Sequence, residues 1–86
     1  MRMSLMGLVG VALLSLTASA LADRPVTNDE RAKLEAALKA QGCTGGEMEY
    51  DEDDRQFEVD DAVCADGRKY DLKFDTNFQL KAKNPG

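Results

Sequence analysis

Polar and apolar residues alternate with a period of two along most of the second half of the chain. Val59 and Val63 are flanked by polar neighbours, and Tyr70, Leu72 and Phe74 alternate with Lys69, Asp71, Lys73 and Asp75. This period marks half-buried strands. Between the two runs stands Ala65-Asp66-Gly67-Arg68, in which Asp-Gly can supply the positive φ angles of a tight turn, so Gln56 to Asp75 predicts an antiparallel hairpin. Upstream, Met48 and Tyr50 alternate with Glu47, Glu49 and Asp51, and Phe57 and Val59 resume the alternation after the acidic run Asp51-Glu52-Asp53-Asp54. A turn centred on Asp53-Asp54 sets Tyr50 against Phe57 and Met48 against Val59. The same register, extended outwards, brings Cys43 opposite Cys64.

The period changes before Gly42. Thr27-Asn28-Asp29-Glu30 has the form of a capping box, with Thr27 as N-cap and Glu30 three residues on. Leu34, Ala37, Leu38 and Gln41 then share one helical face, while Arg31, Glu35 and Lys39 share another at ion-pair spacing. Gly42 ends the helix in a left-handed conformation that glycine enters cheaply. Asp23 to Val26 reads as a lead-in, Phe78 to Lys81 as a last strand after a turn at Thr76-Asn77, and Lys83 to Gly86 as a fraying tail. The expected fold is α+β: one N-terminal helix packed on a three- to four-stranded antiparallel meander. Its core would be Leu34, Ala37, Leu38, Met48, Tyr50, Phe57, Val59, Val63, Tyr70, Leu72, Phe74 and Leu80.

Residues 1–22 belong outside that domain. Arg2 precedes an apolar run from Leu5 to Leu16 and then small residues, the form of a secretory signal peptide. Ala18-Ser19-Ala20 and Ala20-Leu21-Ala22 both fit the cleavage rule, and cleavage after Ala22 would leave residues 23–86 as the mature domain. An uncleaved anchor is the competing reading, but about a dozen apolar residues fall short of a bilayer core of about 30 Å. Export to the periplasm, with no membrane anchor after signal cleavage, is the expected location.

Export changes the meaning of the two cysteines. A domain of 64 residues buries little surface, and in an oxidising compartment Cys43 and Cys64 are expected to pair. In the chain-entropy account the bond adds about 3 kcal/mol. Without Arg2, 10 basic side chains face 16 acidic ones, a net charge of −6. Nucleic acid is therefore excluded as a partner on charge; solubility, or a cationic partner, are the readings that remain.

Residues 23–86 contain no histidine, serine or tryptophan, which removes the usual general base and the serine nucleophile. No cofactor and no enzymatic activity are expected. Asp51, Asp53 and Asp54 are candidate ligands for a hard cation, although they lack the spacing of an EF-hand loop, and a solvated hairpin tip is the simpler reading; no metal is assigned to them. Asp61 is a candidate binding residue of a different kind. Strict alternation from an Asp66-Gly67 turn pairs Val63 with Tyr70 and Val59 with Phe74, which puts Asp61 on the apolar face opposite Leu72, where an unpaired carboxylate is costly. A bulge near Asp60-Asp61 that turns it outward is favoured over a partly buried acid lining a groove. An exposed sheet edge could take up an extended peptide, with Lys81 and Lys83 as its protection.

A helix that opens with Thr-x-x-Glu and ends at Gly, an alternating hairpin, and an acidic-Gly turn before Tyr-x-Leu-x-Phe-Asp together resemble the PepSY domain. The resemblance runs from Val26 to Leu80 and is concentrated in FEVDDAVCADGRKYDLKFD. It departs from the family at Asp75-Thr76-Asn77-Phe78 and in carrying a cysteine pair. It implies a helix on an antiparallel sheet, and a non-catalytic module of extracytoplasmic proteins and of secreted metallopeptidase propeptides. On this basis the expected activity is binding, with modulation or inhibition of a peptidase partner. The alternative is an acidic cation-binding or envelope-stress accessory protein.

Overall fold

The computed structural model describes residues 23–86; residues 1–22, which the sequence pattern marks as an expected signal peptide, lie outside them. Six strands and one helix follow in the order β1 (Asp23–Pro25), α1 (Asn28–Ala40), β2 (Cys43–Thr44), β3 (Glu47–Asp51), β4 (Gln56–Cys64), β5 (Lys69–Phe74) and β6 (Leu80–Pro85). All belong to one antiparallel sheet ordered β1-β3-β4-β5-β6, with β2 also paired to β4. The α+β class holds, but the sheet has six strands instead of three or four, and the helix is preceded by a strand. Among the described residues no helix is long and apolar enough to cross a membrane.

The helix begins as its sequence dictates. The Thr27 hydroxyl accepts the Glu30 N–H while the Glu30 carboxylate accepts the Thr27 N–H, so two orphan donors of the first turn are satisfied reciprocally. At the other end Gly42 takes φ 74° and donates to the Lys39 carbonyl. Gln41 is exposed as the C-cap, and the ion pair along the helix joins Asp29 to Lys33 instead of linking Arg31, Glu35 and Lys39.

The register expected for the first hairpin is observed: Met48 pairs with Val59, Tyr50 with Phe57, and Cys43 with Cys64, which are joined by a disulfide. Leu34 and Leu38 pack with Phe57, Val59, Ala62, Leu72, Phe74 and both cysteines to form the core, flanked by Val26, Ala37, Met48, Tyr50, Tyr70 and Phe78.

The second hairpin departs from strict alternation. Its loop has three residues, Ala65-Asp66-Gly67; only Gly67 has positive φ, and Cys64 and Arg68 close it by a backbone hydrogen bond. The longer loop pairs Val63 with Lys69 instead of Tyr70. A bulge then falls between Val59 and Ala62, with Asp61 at φ 59°, so Val59 meets Leu72 and Phe57 meets Phe74. An extra residue reverses the face of every side chain on one side of it. Ala62 and Cys64 therefore point into the core, while Val63, an expected core residue, is 46% exposed.

The end of the chain is also more ordered than its composition suggests. The turn before β6 is organised by Asp75, whose carboxylate accepts the N–H groups of Asn77 and Gln79, and Phe78, instead of Asn77, takes the positive φ. Leu80, placed in the core by its sequence, is 38% exposed at the start of β6. Residues 82–85 do not fray: they pair along β5, and the Gly86 N–H donates to the Lys69 carbonyl.

Gly46 is the tightest glycine in this arrangement. A Cβ there would lie 2.8 Å from both the Asp60 carbonyl and Val59 Cγ1, whereas one at Gly45, also at positive φ, would meet nothing within 4 Å. Gly46→Ala is expected to cost about 2–4 kcal/mol, combining left-handed strain with overpacking, and Gly45→Ala only about 1–2 kcal/mol. Urea denaturation of the two variants checks the difference, and equal losses would mean that the contact with the bulge is unimportant.

Candidate functional site

Alternation along the strands sorts side chains onto two faces. One face of the sheet carries Tyr50, Phe57, Val59, Ala62, Leu72 and Phe74 and is covered by α1. The other carries Gln56, Glu58 and Asp60 from β4, and the strand register places Asp51, Glu49 and Glu47 respectively opposite them. β1 adds Asp23 beside Asp51 and Pro25 beside Glu49. Three pairs of like charges, Glu49–Glu58, Glu47–Asp60 and Asp23–Asp51, thus stand directly across from one another.

Asp23, Glu49 and Glu58 bring carboxylate oxygens within 4.8 Å of one another from three adjacent strands. Glu49 is pushed up to about 7 by its hydrogen bond to the Asp23 carboxyl, by desolvation, and by the charges of Asp23, Asp60 and Glu58. Asp60 is raised by partial burial and by the neighbouring charges of Asp71, Asp61 and Glu47. Below this cluster, buried Gln56, only 5% exposed, donates to Glu58 at 3.0 Å and accepts from Lys81 Nζ at 2.7 Å.

The helix side presents a different surface. Tyr50, Phe57 and Phe78 form an aromatic row, with ring centroids 4.8 Å apart at each step. They line a groove of about 410 Å³ with Arg24, Glu30, Lys33 and Glu52. Its charges are largely satisfied internally. Arg24 lies 4.5 Å over the Tyr50 ring, forms two hydrogen bonds to Glu30, and approaches Glu52 at 3.5 Å. The Arg24 hydrogen bond, aided by the Thr27 N–H, holds Glu30 down to about 2.

The residues singled out from the sequence do not converge. Asp51 accepts the N–H groups of Asp53 and Asp54 on one carboxylate oxygen and so caps the hairpin tip, where Asp53 and Asp54 are exposed. Asp61 lies towards the other end of β4. It is exposed at the bulge, and its own N–H is accepted by the Asp71 carboxylate at 3.0 Å, so it is turned outward from the core. The carboxylates that do meet are Asp23, Glu49 and Glu58. Pairing Tyr50 with Phe57 implies Glu49 opposite Glu58, so two of the three members of this cluster follow from the hairpin register alone. Asp23 does not, because nothing local marks Asp23–Pro25 as a strand.

The family model described as "Peptidase propeptide and YPEB domain" matches residues 5–80 of the chain. No curated protein and no solved structure matches it.

The two shifted glutamates act on stability in opposite pH windows. Glu30 is depressed, so its contribution is present above the ordinary glutamate range and is lost as pH falls towards about 2. Glu49 is raised, so the folded chain holds its proton more tightly than the unfolded chain. Stability is therefore greatest below the ordinary range and declines as pH rises from about 4.5 through about 7. Thermal melts should show this decline between pH 5 and 8, and Glu49→Gln should flatten it and raise the melting temperature at pH 8. A wild-type melting temperature that is level across this window would show that the cluster carries no strain.

Proposed function

Because the chain belongs to the peptidase propeptide and YPEB domain (PepSY) family, we propose that it is a secreted, non-catalytic module that binds a peptidase and modulates or inhibits it. The family match over residues 5–80 is the observation that carries this reading. The fold suits it: a disulfide-tied sheet backed by one helix presents a preformed surface, which limits the ordering cost of binding. The signal-peptide pattern of residues 1–22 supports action in the periplasm, where a secreted peptidase is accessible.

The carboxylates of Asp23, Glu49 and Glu58 favour a second reading, a cation-binding or envelope-stress accessory protein. On that reading, millimolar Ca²⁺ should raise the melting temperature, an effect weakened by Glu49→Gln but not by Asp53→Asn.

The decisive experiment for the peptidase reading is crosslinking of the purified mature chain in periplasmic extract, followed by assay of each recovered peptidase with and without the chain. A crosslinked peptidase whose turnover changes at micromolar concentrations of the chain is expected. Recovery of no peptidase, together with no effect on a panel of secreted metallopeptidases, would falsify the assignment.

A further inference from the structure

Asp66-Gly67 is the single Asp-Gly sequence of the chain, which has no Asn-Gly. This dipeptide carries a chemistry of its own. Glycine has no Cβ to hinder approach to its nitrogen, so the Gly67 nitrogen can reach the side-chain carbonyl carbon of the residue before it. The nitrogen gives up its proton and bonds to Asp66 Cγ, the carboxylic acid loses its hydroxyl, and the two leave as one water. The product is a five-membered succinimide. A second water opens the ring at either carbonyl and gives aspartate again or isoaspartate, in which the main chain runs through the former side chain. Water is the only co-reactant, and the mass is unchanged over the two steps.

The register of the second hairpin depends on this dipeptide. It lies in the exposed three-residue loop that the Cys64 N–H and the Arg68 carbonyl close at 3.0 Å. Loop length and turn type fix a hairpin's register. Here that register seats Ala62 and Cys64 in the core, with Cys64 bonded to Cys43. Isoaspartate would lengthen the loop backbone by one methylene, directly beside the disulfide, and so undo the match between Cys64 and Arg68.

The folded loop holds both reacting groups in an unreactive arrangement. The Gly67 N–H donates to the Cys64 carbonyl at 2.8 Å, which occupies the proton that must leave and fixes the peptide plane. Asp66 Oδ1 accepts the Arg68 N–H at 2.9 Å, and Oδ2 accepts the Tyr70 hydroxyl. Loss of a hydroxyl from Cγ requires the acid form, whereas both donors favour the carboxylate. The Tyr70 hydrogen bond, and after it that of the Arg68 N–H, hold Asp66 below the ordinary aspartate range.

The bonds of Gly67 and Arg68 belong to the turn itself. The Tyr70 bond does not. It reaches back from a side chain on β5, and packing leaves it unexplained, since the ring lies against the core and a phenylalanine would serve there equally well. Lys83 Nζ, from β6, stands 4.7 Å from the ring centroid and helps to keep the ring in place.

We propose that Asp66-Gly67 is a site of covalent modification by spontaneous isoaspartate formation, and that the Tyr70 hydroxyl, a positioning group acting through the Asp66 carboxylate, sets its rate. The loop thereby limits the lifetime of the folded module outside the cell, whatever the chain binds there.

The test is incubation of the mature, disulfide-bonded chain at physiological temperature and pH, with the isoaspartyl fraction at residue 66 followed by peptide mapping. Folded wild type should isomerise at least about tenfold more slowly than the same chain held unfolded in urea. Tyr70→Phe, which keeps the ring, should raise the folded-state rate at least about fivefold, while the two chains isomerise equally in urea. Gly45→Ala, which loosens the fold away from the loop, should isomerise at the wild-type rate. The isoaspartyl chain, separated by ion exchange, should melt below the unmodified chain. Folded wild type that isomerises as fast as unfolded chain, or Tyr70→Phe that isomerises no faster than folded wild type, would overturn the proposal. Gly45→Ala as fast as Tyr70→Phe would do the same, because global opening would then set the rate. Equal melting of the modified and unmodified chains would remove the effect on lifetime.

Discussion

The fold depends on two kinks that fit one another across the β3–β4 hairpin. On β4, Asp60-Asp61 form a bulge; on the opposite side, Gly45-Gly46 separate β2 from β3. Both segments deviate at the same level, so the register that pairs Met48 with Val59 resumes beyond the kinks and pairs Cys43 with Cys64. Gly46 allows this because its missing side chain leaves room for the Asp60 carbonyl and Val59. The disulfide then locks the far end, joining the residue just after the helix terminus to the last residue before the β4–β5 turn. A small core gains from such a tie, because a loop closed in the unfolded chain has less entropy to lose.

The same bulge divides β4 into two parities and thereby shapes both faces. Before it, Phe57 and Val59 meet the helix; after it, Ala62 and Cys64 do. Without it, Asp61 would have entered the core and Cys64 would have left it. The cost of one left-handed aspartate is offset by its N–H bond to Asp71 and by an uninterrupted apolar layer under Leu34 and Leu38.

The two faces follow different electrostatic rules. On the helix side, Arg24 joins β1 to the capping box through Glu30, so the network that starts the helix also docks the first strand. On the open side, carboxylates face carboxylates, and Glu49 retains a proton near neutrality that an isolated glutamate would lose.

Local chemistry was enough to read much of this from the chain. Thr27 and Glu30 are three residues apart and Gly42 needs a left-handed angle, so the helix limits follow from short-range hydrogen bonding and sterics. The alternation around Tyr50 and Phe57 specifies one register, and with it the disulfide and the Glu49–Glu58 opposition. The family pattern is likewise carried by local signals between Val26 and Leu80. What the sequence left open were features decided by partners distant along the chain. A bulge is an extra residue whose location depends on what packs against it, here Gly46 and Asp71, so the alternation placed Val63 inside and left Asp61 between two readings. β1 and the end of β6 have no strand signal of their own: Asp23–Pro25 and residues 82–85 become strands because β3 and β5 offer them backbone donors and acceptors. The carboxylate cluster needed the same step, since Asp23 meets Glu49 only after an edge strand has paired. Local propensity therefore determined the helix, the hairpins and the disulfide, while the tertiary structure decided parity, edges and the charged face, because each depends on contacts that exist only once the sheet has assembled.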